Sequence, residues 1–401
     1  MPCVVSDDEA LVLMNSSKQT LNPENTLPFP LSPEYTFQVH SGVEDDAWDT
    51  FLASLPGAHY TQSSRWGRVK ALAGWRASRL IVTKARRIVG GAQMLLRPLP
   101  VGGMIAYLPK GFVLAEGEAS LSAMLLREIQ EWAREQRVQH LTIQPPRGGE
   151  EIARQLSVAG FRLNPQMGTI TSTLLIDLSP DPETLLSQMQ KSTRVNIRRG
   201  EKRGIRVREG DAEDLDTFYR LLEAASRRKG FSIFSEKYYR QLWEALAPAG
   251  FLKIFVAEFE GEAMTAMLAI PFGDTVYSHI SAWSGLHAEC KPNETLEWQV
   301  MLWAKEHGFR FYDFEGINLS AATAILQEGR LPASFDLHKD RTVTQYKLGF
   351  GGQVVLLPGA YEYVFNPLLR WAYFEAYSKM RRWGWLTKAQ KKLMRRFQPK
   401  V

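Results

Sequence analysis

Asp313 and Glu315 stand two positions apart in the string FYDFEG, so on a strand they would share one face. A pair of carboxylates so placed can hold an amine or act as a base; it can equally accept backbone N–H groups at the strand's end. Lys347 lies in YKLGFGG, among Tyr346, Phe350, Gly351 and Gly352. Those neighbours would let a strand approach a substrate closely while limiting water, which suits a cation that works on developing negative charge. The plainer reading is an edge lysine of the kind that keeps strands from aggregating. A third concentration of charge is KSTRVNIRRGEKRGIRVR, residues 191 to 208, where eight cations face the single acid Glu201. Such runs are solvated helix faces or sites for phosphates, nucleic acid or anionic lipid.

Other chemistries are poorly served. The two cysteines, Cys3 and Cys290, match no paired metal spacing, and the seven histidines form no HxxxH pair, which points away from a zinc enzyme. Arg87 to Ala92, RIVGGA, fits the pyrophosphate loop of acetyl-CoA enzymes. That loop must follow a strand and open a helix, whereas here it runs from a hairpin turn into a strand, so neither coenzyme A nor another cofactor is expected.

The elements that position these residues repeat. In the first half GWRASRLIV, IVGGAQMLLRPL and MIAYLP read as strands, SLSAMLLREIQEWAREQ as a helix and HLTIQPP as a further strand. GFLKIFVAEFEGEAMTAMLAIPF, TVYSHISAW, ETLEWQVMLWAKEHG and RFYDFEGI supply the same series again. Ala92 pairs with Ala263, Trp132 with Trp303 and Gln144 with Glu315 at an offset of 171, and Tyr107 pairs with Tyr277 at 170. Two copies of a mainly antiparallel sheet with a packed helix imply an α+β fold with a cleft between the copies. Tyr107 and Tyr277 are then either matched core residues or cleft residues, and the loop after Tyr107, with Lys110 and Gly111, should border the cleft.

Length and composition fit two domains, with 401 residues of which 45% are hydrophobic. Residues 1–34 lack periodicity and end in a proline-rich stretch, reading as a flexible arm. The expected division is 35–175 and 176–365, followed by a basic helical tail at 366–401. The formal charge of +6 is uneven, because residues 370–401 hold ten Lys or Arg against Glu375 and leave −3 for the rest. No signal-peptide pattern and no apolar run of spanning length is evident, so a soluble cytoplasmic protein is expected.

The order of several strings resembles the FemABX peptidyltransferases, which carry two tandem GCN5-related N-acetyltransferase-like domains. They are YTQSSRWGRVKALAGW, VGGAQMLLRPLPVGGMIAYLPKG, STRVNIRRGEKRGIRV, KPNETLEWQVMLWAKEHGFRFYDFEG and YKLGFGGQVVLLPGAYEYV, and they cover about residues 36 to 375. Where relatives often have Pro-Arg-Gly-Pro, this chain has Pro109-Lys110-Gly111-Phe112. The short stretch after Arg228 implies a branch without the coiled-coil insertion of some relatives. The resemblance implies transfer of an amino acid from aminoacyl-tRNA to the stem peptide of a peptidoglycan precursor, either lipid II or its nucleotide-linked form. It also implies that Lys347 acts at the reacting ester and that Lys70 and Arg194 hold the precursor's diphosphate; Tyr107, Lys110, Tyr277, Asp313 and Glu315 are the substrate-binding candidates that the repeat, its cleft loop and the FYDFEG strand supply. An N-acyltransferase of the same fold using acyl-CoA or an acyl carrier, and a catalytically decayed membrane-surface protein, are the competing readings. The aromatic and basic tail suits an anionic inner membrane face or tRNA phosphates.

Overall fold

A computed structural model of the chain describes residues 34–41, 44–99, 102–165, 167–331 and 341–371. The first half runs β1 (Tyr35–His40), α1 (Asp46–Ser54), α2 (Ser64–Ala71), β2 (Arg76–Lys84), β3 (Arg87–Pro98), β4 (Met104–Leu108), β5 (Val113–Leu114), α3 (Ser122–Glu135), β6 (Val138–Ile143), α4 (Glu150–Val158) and β7 (Arg162–Asn164). The second runs β8 (Ser172–Asp177), α5 (Pro182–Gln188), α6 (Lys191–Lys202), β9 (Arg206–Glu209), α7 (Asp214–Lys229), α8 (Glu236–Leu246), β10 (Lys253–Phe259), β11 (Glu262–Phe272), β12 (Thr275–Trp283), α9 (Pro292–Glu306) and β13 (Phe311–Asp313). It closes with α10 (Leu319–Glu328), α11 (Arg341–Leu348), β14 (Gln353–Leu356), β15 (Ala360–Val364) and α12 (Pro367–Trp371).

Two sheets result, ordered β1-β2-β3-β4-β6-β15-β7 and β14-β8-β13-β12-β11-β10-β9, with β5 paired to β3. Each holds one parallel pair, β4 with β6 and β12 with β13. Parallel neighbours need a crossover, and the amphipathic α3 and α9 provide it. α3 buries Leu125, Leu126, Ile129, Trp132 and Ala133, the 3–4 spacing of one helix face. The repeat read from sequence is this shared α+β unit, and matched positions keep matched registers: Tyr107 lies opposite Thr142 and Tyr277 opposite Asp313. Arg87–Ala92 lies within β3, at a strand rather than a helix start. α7 and α8 follow one another directly, with no coiled-coil insertion between them.

The division at 175/176 does not follow the sheets. β8 straddles it and pairs wholly in the second sheet, with β13 and β14. β15, assigned by sequence to the second domain, pairs in the first sheet with β6 and β7. The reason lies in the parallel pairs: the far edges of β6 and β13 offer unpaired backbone groups, and each is covered by a strand drawn from beyond its own repeat. The proposed arm lies outside the described residues apart from Glu34, as does the proposed tail beyond residue 371.

A core shared by both halves ties them together. Trp48, Leu52, Tyr60, Trp66 and Val69 of the first half pack in one cluster with Phe218, Leu222, Leu242 and Leu246 of the second. The Trp48 indole N–H is satisfied inside it by the carbonyl of Gln62 at 2.8 Å. Phe218 is fully buried there, so Phe218→Ala should cost about 3–5 kcal/mol. Because the cluster belongs to both halves, wild type and variant should each melt in one calorimetric transition. Two separated transitions in the wild type would contradict a shared core.

Candidate functional site

The ends of the parallel strands converge where the domains meet. A cavity of about 170 Å³ there is lined by Tyr107, Lys110, Gln144 and Arg147 from the first domain and by Tyr277, Asp313 and Glu315 from the second. His59 and Tyr60, from the segment before α2, line it as well. Both members of two repeat pairs, Tyr107 with Tyr277 and Gln144 with Glu315, therefore face one space. Gly111 permits the close approach of the Lys110 loop, since a Cβ there would lie 2.6 Å from the Gln62 side chain. That side chain holds the loop by donating to the Pro109 carbonyl at 2.7 Å.

Electrostatics in this cavity are set by burial. Asp313 ends β13, accepts from the Thr173 hydroxyl and from the Glu315 amide at 2.8 Å, and is pushed up to about 6 by loss of water. Burial likewise lowers Lys110 to about 8, with Asp313 and Glu315 opposing the shift, while its ammonium donates to the Ile170 carbonyl at 2.9 Å. His59 is held neutral, down at about 3, chiefly by desolvation. Glu315 lies past the strand at a positive φ of 44°. It accepts from the Tyr60 hydroxyl at 2.7 Å and pairs with His279 Nδ1 at 2.9 Å. Burial works to raise its pKa, but the facing His279 and His59 rings and the Tyr60 hydroxyl together outweigh it and hold the carboxylate below its usual range.

Behind that acidic turn lies a second cavity of about 420 Å³, lined by Arg228, Ser278, His279, Glu297, Tyr346 and Lys347 among others, and Glu315 lines it as well. Glu297, on α9, was not singled out from sequence. It is 4% exposed, accepts from the Tyr312 hydroxyl and from Ser278 Oγ at 3.3 Å, and is raised by burial to about 7. The Tyr346 hydroxyl is buried there without a hydrogen-bond partner among the described residues. A buried acid on a helix face otherwise made of Leu296, Val300, Met301 and Ala304 was the available signal, since an acid on a core face needs a reason.

Lys347 is not on a strand but in the last turn of α11. Its ammonium donates to three successive carbonyls, Phe314 at 2.7 Å, Glu315 at 2.6 Å and Gly316 at 2.8 Å. All three of its hydrogens are thus committed. Lys70 and Arg194 line neither cavity. Lys70 Nζ lies over the Trp66 ring, 4.9 Å from its centroid, and Trp66 packs edge-on against His279. The Arg194 guanidinium turns back to the carbonyls of Ser187 and Met189, where α5 ends and α6 begins, because those carbonyls lack helical partners. Among the described residues no helix is long and apolar enough to cross a membrane.

The FemAB family model matches residues 43–260. The chain is 26% identical over 234 residues to a lipid II:glycine glycyltransferase of Staphylococcus saprophyticus, covering 54% of this chain and 55% of the relative. It is 24% identical over 257 residues to the lipid II:glycine glycyltransferase of Staphylococcus aureus, 60% of each. The chain thus spans a little over half the length of these curated relatives. A crystal structure of FemX matches with a TM-score of 0.73 at 19% identity, over 84% of this chain and all of that one. A Bacteroides thetaiotaomicron protein of unknown function matches with a TM-score of 0.50 at 9% identity, over 79% and 96%.

The raised pKa of Asp313 carries a stability consequence. Folding favours its neutral form, so its contribution is complete below pH about 4 and is lost as pH rises through about 6. Asp313→Asn keeps the acceptor for Thr173 and Glu315 while removing the charge. The variant should gain about 1–2 kcal/mol over wild type at pH 8, fading to nothing near pH 4. Chemical denaturation across that range tests it, and a variant less stable than wild type at pH 8 would show that the carboxylate is compensated in the fold.

Proposed function

From the premise that the chain belongs to the FemAB family, we propose that it transfers an amino acid from aminoacyl-tRNA to an amine on the stem peptide of a peptidoglycan precursor. The observation that carries this reading is the pair of cavities that share Glu315 as a common wall. The two curated relatives are named for transfer of glycine to lipid II, which supports the substrate class. The smaller cavity suits a short aminoacyl ester, and the larger one a peptide side chain with its amine.

In this reading the acceptor enters the second cavity as an ammonium ion, held by Glu297 and Glu315. Glu297, with a pKa near 7, accepts one proton, since a base works best when its pKa lies close to the operating pH. The freed amine attacks the ester carbonyl across the Glu315 wall, forming the C–N bond. Lys110 and Arg147, both lining the first cavity, stabilise the negative charge that develops on the carbonyl oxygen. The tetrahedral species collapses by breaking the bond to the ribose oxygen, which takes the second amine proton. The products are an amide, a free ribose hydroxyl and one released proton. Lys347 serves as a positioning residue, fixing the turn that carries Asp313 and Glu315, because its own donors are already engaged. Lys70 lies behind the His279 wall and Arg194 braces α6, which favours supporting roles over direct contact with the reacting atoms.

Single-turnover transfer from charged tRNA to lipid II tests the reading. Glu297→Gln and Glu315→Gln should each slow transfer about a hundredfold or more. The wild-type rate should fall as pH drops below about 7, and Glu297→Gln should flatten that limb. Lys347→Met should slow transfer and also weaken acceptor binding, because the turn loses its anchor. No transfer by the wild type from any charged tRNA, or a wild-type rate in Glu315→Gln, would overturn the proposal.

A further inference from the structure

The second cavity is bordered by the end of α7 and the loop that follows it, through Arg228, Lys229 and Phe231. α7 ends in Arg227, Arg228 and Lys229, and the loop that follows exposes Phe231 at 42% and Phe234 at 39%. The loop after β12 exposes Leu286 at 55%. These loops are fastened to each other. The Arg228 guanidinium donates to the carbonyls of Ser284 at 2.8 Å and Trp283 at 3.2 Å and lies over the Trp283 ring, while the Trp283 indole N–H donates to the Leu286 carbonyl at 3.1 Å. Val343 of α11 is 46% exposed and lines the same cavity as Phe231. Exposed apolar side chains therefore border a cavity that also holds His279, Glu297, Glu315 and Lys347.

Two cations of this rim, Lys229 and Lys237, are unspent among the described residues. The nearby acids Glu223 and Glu236 are taken by Arg227 and Arg240. Arg228 keeps to backbone carbonyls, and neither Lys229 nor the exposed Lys237 has a carboxylate partner among the described residues. Cations beside exposed aromatic and aliphatic side chains match an interface whose outer layer is anionic and whose next layer is hydrocarbon. A nucleic acid would satisfy the cations, but Leu286 and Val343 would gain nothing from phosphate oxygens.

We propose that this rim docks on an anionic phospholipid bilayer, with Phe231, Phe234 and Leu286 entering the headgroup boundary and Lys229 and Lys237 meeting lipid phosphates. Docking would set the mouth of the second cavity against the membrane. It deepens the transfer reading and rests on it in one respect: the acceptor would then arrive lipid-linked, straight from the bilayer.

Flotation of the full chain with vesicles containing phosphatidylglycerol, beside vesicles of phosphatidylcholine alone, tests the docking without either substrate. The wild type should float with the anionic vesicles, less so at high salt. Phe231→Ser with Leu286→Ser should weaken binding about tenfold or more. Lys229→Glu with Lys237→Glu should do the same through charge, with no buried side chain touched. Thermal melts would check that both double variants are folded. Should both bind the vesicles like wild type, with the basic residues after 371 then carrying all the affinity, the proposal is overturned. It is equally overturned if the rim variants lose binding to tRNA while vesicle binding is unchanged. Failure of flotation would leave the transfer reading standing, and failure of transfer would leave docking standing.

Discussion

The grip of Lys347 on the carbonyls of Phe314, Glu315 and Gly316 is the contact on which the site depends. Three consecutive carbonyls pointing at one ammonium force the chain to turn just after β13, and Glu315 takes a positive φ as part of that turn. The turn sends the Glu315 carboxylate to Tyr60 and His279 and leaves Asp313 with Thr173. Without the lysine, three part-buried carbonyls would lose their shared partner, at up to about 1–3 kcal/mol for any one left unsatisfied. The lysine's charge also lies between acids on either side: Glu297, Glu315 and Asp313 all favour its charged form, against the desolvation that lowers its pKa.

Around this anchor the duplicated fold supplies the rest. The parallel pair in each sheet brings a tyrosine and a polar residue to the same end, and the two ends meet in one cavity. Strands β8 and β15, each covering an edge left by the parallel pair of its sheet, bind the halves so that neither end can drift independently. The shared hydrophobic cluster of α2, α7 and α8 closes the other side. A site assembled from two rigid sheets can keep buried groups such as Asp313, Glu297 and Lys110 at unusual proton affinities, because water cannot relax around them.

Much of this was legible in the sequence because periodicity and spacing are local. The offset of 171 identified the repeat, and the pairs Tyr107 with Tyr277 and Gln144 with Glu315 fall on the cavity that the repeat generates. Lys110 is legible from its place in the loop that follows Tyr107. What escaped depended on partners far away in the chain. YKLGFGG, with its aromatic and glycine residues, resembles a strand edge, and only packing against the 314–316 turn makes Lys347 the end of a helix. Arg194 looked free because its partners are backbone carbonyls, which carry no sequence signature. The pairing of β15 with β6 joins segments more than two hundred residues apart, and no local pattern encodes it. Glu297 was hidden inside a helix whose apolar residues read as ordinary core.

The central claim is that the Glu315 wall separates two substrates that occupy the protein together. Equilibrium binding of a soluble lipid II headgroup peptide and of an RNA acceptor stem carrying an amide-linked amino acid, each titrated with the other saturating, measures this directly. If one ligand occupies each cavity, the two bind at once and neither weakens the other's affinity. If saturation with either ligand expels the other, the cavities are one binding site rather than two, and the arrangement described for transfer across Glu315 is wrong.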